Sequence, residues 1–519
     1  MRLLGIFLII LGALAAAGEI LNIAFPTARW FFSVSREVPL LGGRGFLWFG
    51  WLCVALMVGG GLAMLVRSFT SGPANPITAR RIRRFCDIKR GYWSLVILLA
   101  LASLAALDQA VVGKRALAVK YKGEWLFPAF VQSNFKNQDF GVTDETAEAP
   151  ADFRKLKRLW KDVPENRVIM PLVPYDPTGD TLPPRSRELL QREGVYHETG
   201  NRDPYWGLAA KYYDAAEAEI HIRYTLRKGV LNGPADGWGP DGMPVYTAEF
   251  RNGKIVSERY SGEGTKEDFL ALPSTDLRAV KHHPAPPIPE EGNWLGTTSQ
   301  GYDVVAYLYG GLQVNFKAAL IYLPIVYLIG ITVGMMMGYF GGWLDIVVQR
   351  LIEIFANMPF LFVVIIFSSM VPDRFKGLPV ILSILILFGW MGMTYLMRTA
   401  AYRDKGRDYI SAARVLGAGT PRILFRHLLP NTVAIIVTLV PFTMSALIFS
   451  LTSLDYLGFG LPPEYATWGR LLNDGLSNLS APWLVTSTFF VLVALLVLIT
   501  FVGEAVREAF DPKKFTYYR

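Results

Sequence analysis

The groups that could do covalent chemistry in this chain are sparse and wrongly spaced for it. A phosphate-cradling loop needs Gly-x4-Gly-Lys-Ser/Thr, so that backbone N–H groups meet phosphate and the hydroxyl holds magnesium. Gly113-Lys114 is followed by Arg115 and Gly253-Lys254 by Ile255, and neither has the preceding glycine. A zinc protease needs His-Glu-x-x-His, whereas His197-Glu198 leads to Asn201. No Gly-x-Ser-x-Gly elbow occurs. His282-His283 has no further ligand nearby and reads as an exposed linker. Cys53 sits in an apolar run and Cys86 in a basic segment, so they do not read as a disulfide pair.

What the chain does carry is a polar island between two apolar runs, Asp408 to Asn431, DYISAARVLGAGTPRILFRHLLPN. Arg403, Lys405, Arg407, Arg414, Arg422 and Arg426 make it basic, and the positive-inside rule places it in the cytoplasm. Ala412 and Ala413 lie on a helix-forming run, Gly417 breaks that run, and a second short helix is expected to end at Pro430. A helix–turn–helix with a small-residue face at a membrane surface can enter a groove on a partner. Its chemistry would be mechanical: it would receive force.

The surrounding elements are those of a membrane protein. The chain has 519 residues, 52% of them hydrophobic and only 18% charged, which is too apolar for a soluble protein of this size. The net charge of +9 reflects basic residues clustered beside apolar runs, the pattern of membrane orientation and not of nucleic-acid binding. Residues 3–24 and Phe46 to Val66 read as a hairpin of two transmembrane helices, although Leu14-Ala15-Ala16-Ala17 mimics a signal-peptidase site. Arg67, Arg80, Arg81, Arg83, Arg84, Lys89 and Arg90 form a cytoplasmic signal, and Gly91 to Leu107 crosses outward.

Residues 111–292 contain no run able to span a bilayer and read as a soluble α+β domain on the outer face. Ile220, Ile222, Tyr224 and Leu226 alternate as a half-buried strand. Asn252-Gly253 between VYTAEF and KIVSERY predicts a hairpin, because the turn needs positive φ at both central residues. Asp152 to Trp160 and Ser186 to Gln191 are expected to be helical, and His283 to Pro289 a Pro-rich linker. Five further spans are expected at about 314–338, 346–371, 378–398, 431–452 and 483–502. They leave 399–430 and the tail with Arg507, Lys513, Lys514 and Arg519 inside.

Several ordered segments resemble one family. They are RGYWSL at Arg90, NWLGTTSQGYDV at Asn293, GYFGGWLD at Gly338, residues 408–431, SLDYLGFGLP at Ser453 and GEAVREAFDP at Gly503. The chain resembles, over roughly 88–132 and 290–515, the inner-membrane permease subunits of binding-protein-dependent ABC importers of the dipeptide/oligopeptide class. Within these it is most similar to the Yej-type branch associated with microcin C and oligopeptide uptake. The family's coupling signature is met at Ala412, Ala413, Gly417, Leu429 and Pro430. Ser411 stands where the family has Glu, and His427 where a hydrophobic residue is common. Losing the Glu removes one salt bridge to the ATPase.

The other motif residues have plainer readings. Gly296 and Asp303 match the family's Gly-Thr-Asp…Gly-Arg-Asp segment, with Thr298 and Tyr302 replacing its Asp and Arg, and they shape a loop that Asp303 caps. Gly341 and Gly342 make a tight turn, with Asp345 opening the next helix. Arg350 and Glu353 are placed to pair at a bilayer edge, and Pro359 is placed to kink its span. Around Gly458 and Gly460, two readings stay open: interfacial anchoring by the aromatics, Trp468 included, or a tightly closing outer gate.

The architecture expected is an all-α polytopic membrane protein with about eight spans. It comprises an N-terminal hairpin extension (1–75), a basic segment and first core helix (76–110), the inserted α+β periplasmic domain (111–292) and a permease core (293–519) with its coupling loop at 399–430. The core itself would have five to six helices. The resemblance implies an ATP-driven importer of peptides or peptide-like compounds in the bacterial inner membrane. Its partners would be cytoplasmic ABC ATPases carrying ATP and Mg2+, a second permease forming a heterodimer, and a periplasmic binding protein. This chain would bind no cofactor. The competing reading is a membrane-anchored periplasmic binding or assembly protein.

Overall fold

The computed structural model describes residues 2–21, 30–37, 47–131, 134–142, 147–161, 163, 165–181, 186–198, 204–213, 219–272, 276–280, 283–287, 289, 292–372, 375–479 and 481–510, apart from 71–75. His282, Lys513, Lys514 and Arg519 lie outside these residues. In chain order the helices are α1 (Arg2–Ile20), α2 (Trp30–Glu37), α3 (Trp48–Thr70), α4 (Pro76–Asp87), α5 (Lys89–Ala106), α6 (Phe153–Leu159), α7 (Lys266–Ala271), α8 (Val304–Phe340), α9 (Gly342–Ala356), α10 (Phe360–Met370), α11 (Leu378–Gly389), α12 (Met391–Asp404), α13 (Asp408–Val415), α14 (Thr420–Arg422), α15 (Leu429–Tyr456), α16 (Trp468–Ser477) and α17 (Pro482–Phe510). The strands are β1 (Ala118–Tyr121), β2 (Glu124–Leu126), β3 (Arg167–Ile169), β4 (Ser186–Arg192), β5 (Val195–Glu198), β6 (Gly207–Tyr212), β7 (Ile220–Arg227), β8 (Val230–Trp238), β9 (Pro244–Arg251), β10 (Lys254–Tyr260) and β11 (Arg278–Val280). Two compact units result, one of Met1–Pro174, Leu308–Arg470 and Phe489–Arg519, the other of Tyr175–Tyr307 and Leu471–Thr488.

Among the described residues, six helices are long and apolar enough to cross a bilayer: Trp48–Val66, Lys89–Ala106, Val304–Phe340, Leu378–Asp404, Thr420–Tyr456 and Pro482–Phe510. α9 and α10 would add a seventh span if counted together. The kink expected at Pro359 is a full break, with the two helices bent by 85° and Pro359 preceding α10 in extended backbone. Proline cannot donate the i→i−4 bond, and it pushes Met358 away from the helical region. The expected Arg350–Glu353 pair forms at 2.7 Å.

In the first unit, α1 and α3 pack antiparallel through glycine. A Cβ on Gly61 would stand 2.7 Å from the Gly5 carbonyl, and one on Gly12 would stand 2.8 Å from Val58. The same unit holds a small antiparallel sheet, β2-β1-β3, over a core of Val119, Phe140, Phe153, Leu156 and Val168. Asp152 caps α6, accepting from the N–H groups of Arg154 and Lys155 at 3.0 and 3.1 Å.

The second unit is built on an eight-stranded sheet, ordered β10-β9-β8-β7-β6-β11-β4-β5, with every pairing antiparallel. The hairpin predicted at Asn252-Gly253 is present, with φ of 49° and 78°. Lys122-Gly123, Glu193-Gly194 and Lys228-Gly229 make equivalent two-residue turns, φ being near 50° at the first residue of each. Ser186–Gln191, expected as helix, is strand β4. Its pairing with β11 and β5 overrides a composition that suits a helix. The stretch from His283 is not an exposed linker: Ala285 is buried, its N–H donates to Thr297 Oγ1 at 2.7 Å, and His283 Nδ1 lies 2.8 Å from the same oxygen.

His221 on β7 is fully buried between the rings of Tyr213 and Phe269, at centroid distances of 4.7 and 4.4 Å. Burial, helped by the charge of Lys211, lowers its pKa from 6.5 to about 4. Between these values the unfolded chain binds the proton and the folded chain does not, so stability rises with pH. The contribution is complete above pH 6.5 and is lost as pH falls toward 4. The expected result is a lower unfolding temperature of the full chain at pH 5 than at pH 7, with a smaller difference in His221→Phe. Equal pH dependence in both proteins would refute this role for the histidine.

Candidate functional site

The Asp408–Asn431 segment folds as its sequence directs up to its midpoint. α13 ends in two interlocked backbone bonds: Gly417 N–H donates to the Arg414 carbonyl and Ala418 N–H to the Ala413 carbonyl, both at 2.9 Å. This six-to-one, five-to-two closure requires the left-handed conformation at Gly417, whose φ is +78°. α14 follows at once with Pro421 in its first turn, where a missing N–H is harmless.

Ile410, Ala413, Ile423, Leu424 and Leu428 are buried, and all but Ala413 belong to the membrane-core cluster of Met397, Ala400 and Met335. The tip between the helices is the reverse. Val415 and Leu416 are 88% and 85% exposed, in the company of exposed Ser411, Ala412, Arg414, Arg422 and Arg426. The element is therefore anchored by one apolar face and presents a second at the turn. The adjacent alanines divide the roles, Ala412 outward and Ala413 inward. The sequence had drawn attention to the alanines and missed the Val415-Leu416 tip, whose signal was two large apolar residues directly before a helix-ending glycine.

Beyond the midpoint the structure corrects the expectation. The second helix does not end at Pro430. Residues 423–428 form a π turn, Ile423–Leu428, and α15 continues through Pro430, giving one helix from Thr420 to Tyr456. The widened turn accommodates a ring that would otherwise collide with the carbonyl four residues back. His427 is half-buried and its carbonyl accepts from Asn431 Nδ2 at 3.1 Å, while Leu429 packs on the core and Pro430 is exposed.

The corners feeding this element are fixed by ions. Asp404, buried at the end of α12, accepts from Arg403 Nε at 2.9 Å and forms an ion pair with Arg407, whose Nε lies 3.2 Å away. The Arg414 guanidinium lies 5.0 Å from the centre of the Tyr339 ring at the end of α8. Gly341 and Gly342 turn the chain from α8 into α9 with φ of +65° and +59°. Asp345, expected only to open α9, is buried and ties that turn to α12. It accepts from Arg398 Nε, from a second Arg398 nitrogen at 2.7 Å and from the Tyr402 hydroxyl at 2.7 Å.

Asp345→Ala would leave Arg398 uncompensated. Removing one partner of a buried pair costs about 3 kcal/mol, so the variant is expected to unfold at lower temperature in detergent, with Asp345→Asn intermediate. An unchanged melting temperature for Asp345→Ala would show the pair to be dispensable.

α8 also meets α12 along Gly330, Gly334 and Gly338, spaced four apart. A Cβ on these would stand 2.8 Å from Met393 Cβ and would overlap the carbonyls of Thr394 and Arg398 respectively. Two segments far apart in sequence meet likewise. A Cβ on Gly91 would overlap Ala505, and Arg90 lies 3.7 Å from both Glu504 and Glu508.

At the other end of α15, Gly458 takes φ +81° and closes the helix as Gly417 closes α13, with Phe459 N–H on the Leu454 carbonyl at 2.9 Å. A Cβ on Gly460 would overlap Asp455, whose Oδ1 accepts from Leu461 N–H at 2.7 Å. Trp468 is not an interfacial anchor: it is buried, with Nε1 donating to the Leu308 carbonyl at 2.9 Å. In the second unit, Asp303 accepts from Ala306 N–H at 2.8 Å and caps α8, and Gly296 turns with φ +78° against the Ala285 carbonyl and Trp483. No group of three or more His, Cys, Asp or Glu able to hold a metal occurs among the described residues.

Comparison with known proteins places this arrangement. Residues 330–516, which hold α9 to α17, match the family described as "Binding-protein-dependent transport system inner membrane component". The chain is 31% identical to the peptidoglycan transport system permease protein YejE of Agrobacterium fabrum over 441 residues, 85% of this chain and 94% of that protein. It is 30% identical to the inner membrane ABC transporter permease protein YejE of Escherichia coli over 440 residues, 85% of this chain and 98% of that one. Over 248 residues it is 33% identical to the dipeptide transport system permease protein DppC of Bacillus subtilis, 47% of this chain and 76% of that protein. The chain belongs to the family of inner-membrane permease components of binding-protein-dependent transport systems.

Proposed function

We propose that this chain forms one half of the pore of an ATP-driven importer of peptides or peptide-bearing compounds in a bacterial inner membrane, with residues 408–430 as its ATPase-coupling element. The observation that carries the reading is the Val415-Leu416 tip, apolar and exposed on a helix pair whose other face is rooted in the core. Such a tip suits a groove in a cytoplasmic ATPase. ATP and Mg2+ belong to that partner, and this chain transmits motion without catalysing a reaction.

Ser411, Ala412, Ala413, Gly417, His427, Leu429 and Pro430 would serve the coupling. Gly296, Asp303, Gly341, Gly342, Asp345, Gly458 and Gly460 would hold the loops that keep the spans in register. A second permease would complete the pore, and a periplasmic binding protein would deliver substrate to the outer side, where residues 111–292 are expected. With α1 and the α9–α10 pair counted, the chain would cross the membrane about eight times. Relatives named for dipeptide, oligopeptide and peptidoglycan transport have peptide chemistry in common, which supports that substrate class.

The test is reconstitution of the chain with its permease partner, ATPases and binding protein in proteoliposomes. ATP-dependent uptake of a labelled oligopeptide is expected. A complete complex that hydrolyses ATP without moving any peptide would retire the peptide reading. A chain that purifies without ATPase or second permease would favour an anchored binding or assembly protein.

A further inference from the structure

The three-stranded sheet of the first unit has an uncovered face. Val119 pairs with Leu126 on one side and Val168 on the other, and this row faces the module's own core. Strand side chains alternate, so the next row, Trp125, Lys120 and Arg167, lies side by side on the opposite face. Glu124 pairs with Tyr121 and falls outside that row. Trp125 and Phe127 are 48% and 50% exposed, and Phe130 and Val131, in the turn after Phe127, are exposed as well. Arg115 donates to the Val131 carbonyl at 3.2 Å, which sets a further cation at the margin.

Two properties of this face limit its occupant. Large aromatics interleaved with Lys and Arg are the composition of a membrane–water interface, where rings lie at headgroup depth and cations meet lipid phosphate. The centre of a protein–protein patch is instead depleted of Lys. The face is also held close to a membrane end. α5 stops at Ala106, and its last turn is fixed to α8 by the Tyr309 hydroxyl on the Leu104 carbonyl at 2.7 Å and by Gln313 Nε2 on the Ala105 carbonyl at 2.9 Å. β1 begins at Ala118, so the connection could reach about 40 Å at full extension. The helical turn Asp108–Ala110 and the Val112–Val173 bridge shorten it well below that.

We propose that this face, with Trp125, Phe127, Lys120 and Arg167 at its centre, rests on the phospholipid headgroup layer of the leaflet in which α5 ends. The proposal depends on α5 being a membrane span. The small sheet then acts as a float beside the outer end of the pore helices and sets the depth of the first core span.

The experiment uses the full chain with Cys53→Ser and Cys86→Ser, embedded in lipid nanodiscs. Single variants Phe127→Cys, Ile97→Cys (exposed on α5) and Val256→Cys (exposed on β10) are labelled with an environment-sensitive fluorophore. Doxyl-labelled phosphatidylcholine is the quencher. At position 127 a blue-shifted emission, quenched at least two-fold, is expected, with position 256 aqueous and unquenched. In discs containing phosphatidylglycerol, Lys120→Glu with Arg167→Glu should lower the quenching at 127 at least two-fold. Quenching at 97 without quenching at 127 overturns the lipid face alone. No quenching at 97 overturns the span on which it depends. Shielding of 127 that arises only when other importer subunits are added assigns the face to protein and overturns the proposal.

Discussion

Leu416→Glu is expected to abolish substrate uptake, by at least 100-fold, in a protein that inserts and accumulates normally. The side chain is 85% exposed and makes no core contact, so its replacement changes the stability of the chain by no more than about 0.5 kcal/mol. Seated in a groove of the ATPase, the same position would bury a carboxylate without a partner, which costs several kcal/mol. The readouts are peptide uptake and substrate-stimulated ATP hydrolysis in the reconstituted complex. Gly417→Val acts differently. Space around Gly417 is open, and a Cβ added there meets nothing within 4 Å. The damage lies in the backbone, because a β-branched residue at φ +78° carries strain of about 1–3 kcal/mol. It should weaken coupling while Leu416→Glu eliminates it. Uptake near the wild-type rate by Leu416→Glu would remove the tip from the mechanism.

Gly334→Val is expected to have the largest effect on assembly. Its Cβ would overlap the Thr394 carbonyl and stand 2.7 Å from Met397 Cβ, so α8 and α12 would have to separate. Inside a bilayer no hydrophobic drive restores such a contact, since close backbone approach is itself the source of association. Overpacking of this kind costs about 3 kcal/mol, and the expected outcome is aggregated or degraded protein and a lower melting temperature in detergent. Gly392→Val on α12 is the control, because nothing lies within 4 Å of a Cβ there. Equal abundance and stability for the two variants would mean that the glycine row is not a packing seam.

Features decided within a few residues were legible in the sequence. The Asn252-Gly253 turn, the Asp303 cap, the Gly341-Gly342 corner and the helix end at Gly417 each follow from local backbone chemistry, and each is present. The three sibling turns at Lys122, Glu193 and Lys228 use the same X-Gly geometry with less distinctive first residues. What the sequence did not reveal is decided across distance. Ser186–Gln191 becomes a strand because β11 and β5 flank it. Arg398 and Tyr402 acquire a purpose only when Asp345 arrives from more than fifty residues away. The row of Gly330, Gly334 and Gly338 went unread in the sequence, because only the facing helix gives its four-residue spacing a meaning. Pro430 misled because proline normally ends a helix, and a single widened turn was enough to carry the helix past it.

That uninterrupted helix has a mechanical consequence. Its 37 residues from Thr420 to Tyr456 rise about 55 Å. A rigid rod of that length pivoted at one end turns a tilt of 5° into a displacement of about 5 Å at the other, roughly one helical turn. An input of about one or two degrees at the Thr420 end would go almost unnoticed there and still shift Gly458 and its loop by about 1–2 Å. The π turn and Pro441 are the two places where such a rod can flex, so they set how much of the stroke arrives. Under the proposed coupling, conformational change would therefore call for amplification by length, and a large rearrangement at the Val415-Leu416 tip would be unnecessary.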